Sequence, residues 1–509
     1  MNEPGPYRIV ILGGGTAGWM TAAGLSRLLP ARDYMITLIE SDEIGTVGVG
    51  EATLPHIKIF NDTLGLDEAQ FMRETRATFK LGIEFRGWDR PNASYIHPFG
   101  VFGEGWGGVD FQHHWTRARL HGRDVRPLDA YSYAVAAAKR NAFEFPNEDP
   151  KSIRSTFSYA YHFDAGLYAA FLRRWATARG VRRIEGEVAE VVRDEASGDV
   201  RRLSLKRGEA VEGDLFVDCS GFRSLLLGRT LGVGWQDWSG WLPCDRALAL
   251  PCATTGTITP YTRASAQAAG WTWRIPLQHR TGNGYVFSTR FIDEDAARAT
   301  LLGAIDAPAL GEPRMLRFQA GRREEGWRAN VVAIGLASGF LEPLESTSIF
   351  LVQAAVYDLA NLIPARGSAR VDARLAAEFN RLFALQYDRV RDFLILHYAA
   401  NRREEAFWQH LRSMKLPDTL RHKMELFAAR GTVPDHRFGL FARDSWLSVL
   451  VGQGIVPQGY DRLADALPLD DIEARLADLA ERVAANVGTM TPHTAFVDDY
   501  CGAGEAVAA

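Results

Sequence analysis

The sequence predicts an α/β fold: a Rossmann-like dinucleotide-binding module with β-rich insertions, joined to a mainly helical C-terminal module. Three observations lead there. A β-type run enters a G-x-G-x-x-G loop near the start of the chain, two further strand-to-glycine turns lie far downstream, and beyond residue 371 the apolar spacing becomes helical. At 509 residues two intimately packed modules are expected, at 1–365 and 366–509. Apolar residues make up 47% and charged residues 24%, the balance of an ordinary globular protein. With 58 basic and 62 acidic residues the net charge is −4, which argues against nucleic acid as the main partner. Cys219, Cys244, Cys252 and Cys501 show no C-x-x-C spacing and no histidine-rich companion, so buried reduced thiols in a cytoplasmic protein are expected, with no metal centre. Neither a basic n-region nor a run of 18 apolar residues occurs, so no signal peptide and no membrane span are expected.

The first element is the run Tyr7 to Leu12, which enters Gly13-Gly14-Gly15-Thr16-Ala17-Gly18 and continues as a helix from Trp19 to Leu29. Glycines 13, 15 and 18 allow a tight turn, close approach to a pyrophosphate and close packing of helix on strand. A second strand, Tyr34 to Ile39, ends at Glu40, where an acid commonly binds a ribose hydroxyl. Gly13, Gly15, Thr16, Ala17, Gly18 and Glu40 are therefore candidate cofactor contacts. The later strand-to-glycine turns, at 216–224 and 331–336, match flavoprotein oxygenases of the monooxygenase type, whose sheet is built from distant parts of the chain. They favour FAD over NAD and add Leu336 to the contacts. No second complete G-x-G-x-x-G exists for a nicotinamide cofactor, so reduced flavin is expected from elsewhere.

Residues 45–53 form a glycine-rich loop whose small residues let backbone approach a flat ring system, with Val49, Gly50, Glu51 and Ala52 as candidate contacts. A helix is expected from Asp67 to about Ala77. Phe79 to Phe85 alternates strictly: Phe79, Leu81, Ile83 and Phe85 share one face, which sends Lys80, Gly82 and Glu84 to the other. Pattern alone reads Lys80 as a solvated strand lysine. Residues 86–150 are dense in aromatics outside helical periodicity, which suits a pocket for a flat apolar ligand, and His97, Pro98 and Phe99 are its candidate lining. His113 and His114 lack partners at metal spacing and read as structural.

Val181 to Phe216 reads as a β-meander turning at Gly198-Asp199, with Arg173, Arg174, Arg182 and Arg183 as a solvated rim. Gly270 to Leu277 places Trp271 and Trp273 on one face of a strand. In Leu341 to Phe350, Pro343 and the Ser/Thr cluster mark a helix start, whose unpaired N–H groups and partial positive charge suit a small anion. Glu342 and Glu345 beside it can act as acid or base. One long helix is expected from Val371 to about Asn401, followed by shorter ones to about Val487.

Five separated motifs, at 13–18, 45–53, 79–83, 271–276 and 339–347, together resemble the flavin-dependent tryptophan halogenases. V-G-V-G-E-A-T matches the family's flavin strap, F-K-x-G-I its lysine segment, W-x-W-x-I-P the wall between flavin and substrate, and G-F-L-E-P-L-E-S-T its glutamate and halide segment. The resemblance implies Lys80 as the halogenating lysine, Glu345 as its acidic partner, Thr347 with Ser348 as the halide site, and Trp271, Trp273 and Ile275 as the wall. Implied with them is an FADH2-dependent halogenase: diffusible reduced FAD from a separate flavin reductase, O2 and chloride or bromide give hypohalous acid, which Lys80 directs onto an aromatic ring. Two positions depart from the family. Ser348 replaces a usual glycine, and Trp446-Leu447 replaces the tyrosine pair that grips the amino-acid end, which favours indole or an indole derivative over free tryptophan. The competing readings are an FAD-dependent aromatic monooxygenase and a non-catalytic flavin-binding protein. The candidate assembly is a homodimer.

Overall fold

The computed structural model describes residues 5–42, 50–368, 370–434 and 439–502. Contacts divide the chain into two units, each built from three segments: Met1–Ala77, Phe163–Pro243 and Phe318–Asp388 in the first, and Thr78–His162, Cys244–Arg317 and Arg389–Ala509 in the second. The units are interleaved along the chain. Segments 78–162 and 244–317, which the sequence reading assigns to the cofactor module as insertions, group instead with the C-terminal helices.

The first unit is organised by a six-stranded sheet in the order Trp327–Arg328, Val331–Ala333, Leu215–Asp218, Tyr7–Leu12, Tyr34–Glu40 and Arg182–Glu185. All pairings are parallel except that of Trp327–Arg328 with Val331–Ala333. Tyr7–Leu12 has apolar residues on both faces, as a central parallel strand requires; Ile9, Ile11, Leu38, Val217 and Val332 are all buried. The register sets Leu12 beside Asp218 and Ile39, and Asp218 beside Ala333. The carboxyl ends of these strands therefore share one edge, with a glycine turn after three of them, and open α/β sheets bind their ligands at that edge.

Helix Thr16–Leu28 packs closely because of its glycines: a Cβ at Gly24 would lie 2.6 Å from Val356 Cγ1 and 3.3 Å from Phe60. The expected meander is smaller than predicted. Val188–Arg193, Val200–Leu205 and Ala210–Glu212 form a three-stranded antiparallel sheet, while Arg182–Glu185 adds to the parallel one.

In the second unit a seven-stranded sheet runs Arg314–Arg317, Arg246–Cys252, Thr281–Phe287, Gly270–Pro276, Thr262–Gln267, Gly82–Arg86 and Ser94–Pro98. Thr262–Gln267 and Gly82–Arg86 run parallel, and the other neighbours antiparallel. The Phe79–Phe85 run is thus not one strand. Thr78–Lys80 pairs with Ala160–Asp164, and the chain then crosses at Leu81 into the larger sheet. There Leu81 N–H donates to the Pro260 carbonyl at 2.7 Å, and its own carbonyl accepts from Phe99 N–H at 2.7 Å.

A second difference is Phe111–Leu120, which is a helix rather than irregular aromatic lining. In it His113 accepts from the Asp461 amide at 3.2 Å and His114 bonds the Trp106 carbonyl at 3.0 Å. The long helix is Ala373–Ala399, followed by Ala406–Arg412, Asp418–Arg430, Arg443–Gly452, Leu469–Val487 and His493–Gly502. Arg443–Gly452 lies against Ser94–Pro98, with Ser448 Oγ donating to the Ile96 carbonyl at 3.0 Å. Among the described residues no helix is long and apolar enough to cross a membrane.

The Trp271 strand depends on a glycine opposite it. A Cβ at Gly284 would lie 2.1 Å from the Trp273 ring and 2.5 Å from the Leu248 carbonyl oxygen. Gly284→Ala is expected to destabilise the protein by about 1–3 kcal/mol through this overpacking. A urea midpoint equal to that of the parent would show that the ring moves aside without cost.

Candidate active site

Within the first unit, the turn after Tyr7–Leu12 is dictated by crowding. A Cβ on Gly13 (φ +117°) would lie 2.2 Å from the Cys219 carbonyl oxygen, and one on Gly18 would lie 1.8 Å from the Gly13 oxygen. Gly15 has open space where a Cβ would point, and it caps helix Thr16–Leu28 without any side-chain hydrogen bond. The first-turn N–H groups are thus not taken by a capping side chain, and a diphosphate can approach them. Gly335 (φ +73°) lies so close to Ala17 that a Cβ there would be 2.7 Å from the alanine methyl, which brings the Leu336 turn onto the same loop. These features fit a bound FAD. Gly50, Glu51 and Ala52 form a short strand, and Val49 lies outside the described residues.

Glu40 ends its strand as predicted, where its Oε2 accepts from Trp19 Nε1 at 3.2 Å and its Oε1 from Arg183 at 2.5 Å. Arg173 approaches the same oxygen at 3.5 Å. Arg183 is therefore a partly buried partner of Glu40 rather than part of a solvated rim, whereas Arg173, with 44% of its side chain exposed, lies at the solvated surface as expected. Gly14 was not singled out by the motif, yet a Cβ there would lie 1.5 Å from Glu40 Oε2. Only a tertiary contact reveals that requirement.

The stretch 341–350 forms the predicted helix start, since Thr347–Leu362 is helical. Its entry differs from the expected Ser/Thr cap. Glu342, Glu345 and Ser346 all take left-handed backbone (φ 80°, 62° and 58°), and no side chain caps the helix. Each such residue costs about 1–3 kcal/mol, a kind of strain that concentrates at ligand sites. Glu342, Glu345 and Thr347 are buried. This end can receive a small anion at its amides, with two carboxyl groups in the same turn.

Within the second unit Lys80 is 0% exposed, which excludes the solvated strand lysine. Its Nζ lies 5.1 Å from the centre of the Phe99 ring. Gly82 is pressed against strand Ser94–Pro98: a Cβ there would lie 2.4 Å from the His97 carbonyl oxygen. From Phe99 a series of rings continues through His97 (6.5 Å), then Phe393 (5.6 Å from His97) and Phe441 (6.0 Å), to Trp446 (5.0 Å from Phe393). His97, Pro98, Phe99 and Trp446 are all buried, and Trp446 carries Lys423 Nζ 3.9 Å from its ring centre. Trp271, Trp273 and Ile275 share one face of their strand and are buried as well, with the two indoles 6.2 Å apart.

A buried, strand-mounted lysine beside aromatic rings in one unit, and a nucleotide turn with a strained helix start in the other, define a flavin-dependent enzyme of the halogenase class. The chain belongs to the tryptophan halogenase family, whose model matches residues 8–469. Its cofactor is FAD, used as FADH2 together with halide. The chain is 36% identical over 481 residues to the tryptophan 6-halogenase SttH of Streptomyces toxytricini, covering 90% of this chain and 91% of that protein. To the tryptophan 7-halogenase RebH of Lentzea aerocolonigenes it is 34% identical over 487 residues, covering 88% and 90%. Among solved structures, the flavin-dependent halogenase BrvH from Brevundimonas sp. BAL3 superposes with a TM-score of 0.93 at 44% identity, over 98% of this chain and 100% of that one. Xcc4156 from Xanthomonas campestris, also a flavin-dependent halogenase, gives 0.92 at 48% identity, over 97% and 98%.

Burial, and secondarily the Asp164 carboxylate, push the Glu51 carboxyl up from 4.5 to about 7. The folded protein therefore holds a proton there that the unfolded chain releases, so this group costs stability as pH rises from about 4.5 to about 7, and by a constant amount above that. Without FAD, Glu51→Gln is expected to gain stability relative to the parent across that window. A difference in melting temperature that does not vary with pH would contradict the shift.

Proposed function

We propose that this enzyme halogenates an electron-rich aromatic ring, indole or an indole derivative in preference to free tryptophan. The observation that carries the reading is the complete burial of Lys80 beside an aromatic wall, in a chain of the halogenase family. A separate flavin reductase supplies FADH2. When bound, reduced FAD with O2 and chloride or bromide supplies hypohalous acid.

The protein's own residues do the rest. Gly13, Gly15, Thr16, Ala17, Gly18, Glu40, Gly50, Glu51, Ala52 and Leu336 hold the cofactor, together with Val49. Amides of Thr347 and Ser348 hold the halide, the Ser348 hydroxymethyl standing where the family usually has glycine. Trp271, Trp273 and Ile275 keep substrate from the flavin. Lys80 holds the oxidant at one position by hydrogen bonding or as a haloamine, and Glu345 accepts the ring proton after attack. Positioning supplies selectivity, because a held oxidant meets one ring carbon and a free one meets them all.

The preference for indole rests on Trp446 and Leu447. Both are buried on helix Arg443–Gly452, and neither brings a hydroxyl to an amino-acid end. The relatives named as tryptophan halogenases define the competing substrate. Halide binding is expected to be weak: a helix N-terminus contributes about 0.3–1 kcal/mol, up to ~2 when partly buried, against roughly 4 kcal/mol for millimolar affinity.

With flavin reductase, FAD, NADH and bromide or chloride, the parent is expected to give a halogenated product from indole, identified by its isotope pattern, at millimolar halide. Lys80→Ala is expected to abolish that product while reduced flavin is still consumed. An oxygenated product retained by Lys80→Ala would establish the monooxygenase instead. A higher yield from tryptophan than from indole would overturn the substrate assignment.

A further inference from the structure

Lys80 is the last residue of a strand only three residues long, Thr78–Lys80. Thr78–Lys80 pairs antiparallel with Ala160–Asp164, matching Thr78 with His162 and Lys80 with Ala160. Residues directly opposite in an antiparallel pair share a face, and alternate residues on a strand do too. Thr78, Lys80, Ala160 and His162 therefore lie on one face, with His162 diagonal to Lys80. Phe79 points the other way and stacks on Phe143 at 4.1 Å.

On the shared face runs a buried hydrogen-bonded row. Thr78 Oγ1 donates to the Pro276 carbonyl at 2.8 Å. Thr78 Oγ1 also lies 3.1 Å from His162 Nδ1, and His162 Nε2 lies 2.9 Å from Thr262 Oγ1. A carbonyl can only accept, so the Thr78 proton points to Pro276 and its lone pair is left for His162. Nδ1 therefore carries the imidazole proton, and Nε2 accepts from the Thr262 hydroxyl. Lys80, Thr78 and His162 are each 0% exposed, so each bond in this row replaces one that water cannot supply. The row joins the Lys80 strand to Thr262 and to the last residue of the Trp271 strand.

We infer that His162 is a positioning residue for halogenation: through Thr78 and Thr262 it fixes the strand that carries Lys80, and so fixes where the amine meets the ring. The inference rests on the reading of Lys80 as the halogenating lysine. Burial, and after it the Lys80 ammonium, hold the imidazole well below its ordinary range, so the proton pattern of the row persists at neutral pH.

The test compares His162→Phe, which keeps a ring and loses both bonds, with His162→Asn, whose amide can still donate to Thr78. Thr78→Val and Thr262→Val remove single hydroxyls at nearly constant volume, and serve if the Phe variant does not fold. Each is assayed with the reductase system for halogenated product per reduced flavin consumed, and for the ratio of product isomers. His162→Phe is expected to lower product per flavin by about tenfold to a hundredfold and to change the isomer ratio, with flavin consumption unaltered. His162→Asn is expected to recover most of the loss. A folded His162→Phe, or the pair Thr78→Val and Thr262→Val, with parental yield and isomer ratio overturns the inference. Lys80→Ala measured in parallel separates the two failures: product retained there sinks the parent reading, whereas product lost there but kept in His162→Phe sinks this one alone.

Discussion

Keeping Lys80 out of water is the constraint on which the second unit depends. A cationic or polar group withdrawn from solvent is tolerated only when neighbouring groups are fixed to receive it. The surroundings of Thr78–Lys80 show how much structure that demands. The strand is paired on one side by Ala160–Asp164, and its continuation is held by the Pro260 carbonyl and the Phe99 amide. Next to that amide, the Phe99 ring lies 5.1 Å from the amine. A short strand at a change of sheet would fray without these contacts. With them, its last side chain has a defined position.

The first unit solves a different problem. Its parallel sheet ends in glycine turns, and those after Tyr7–Leu12 and Val331–Ala333 are possible because a glycine stands where another chain segment comes close. Gly13 meets Cys219, Gly14 meets Glu40 and Gly335 meets Ala17. These segments thus constrain one another, although they lie far apart in the sequence.

How much of this was legible in the sequence follows from which signals are local. The nucleotide turn, the parallel strands, the helix from Thr347 and the helix Ala373–Ala399 all announce themselves through short-range patterns. The break at Leu81 does not, because a period of two looks the same whether a strand continues or passes into another sheet, and here both faces are buried. Helix Phe111–Leu120 escaped for a related reason. Its residues from Phe111 to Ala118 are all buried, so it shows no amphipathic period, and Phe, His, Trp and Thr are weak helix formers. Arg183 and Gly14 were hidden because their partner, Glu40, is distant in sequence. The left-handed entry of Glu345 and Ser346 was hidden because such backbone goes against residue preference; it is set by the buried turn around it.

The hydrogen-bonded row beside Lys80 is made of two threonines, a neutral imidazole and a proline carbonyl, and this composition has a physical reason. A carboxylate among those groups would exchange protons with the imidazole and pull on a neighbouring ammonium. Hydroxyls and a carbonyl do neither, so the directions of the bonds do not alter with charge state. Another buried histidine of this unit, His493, is likewise neutral: burial lowers it to about 4, against the pull of the Ile258 carbonyl it bonds at 2.8 Å. Arg274, whose charge disfavours protonation of His162, is offset by Asp306 at 3.0 Å. Both imidazoles thus stay uncharged at neutral pH. The geometry around the lysine is then set by covalent shape and neutral hydrogen bonds, which do not weaken as charge moves during a reaction.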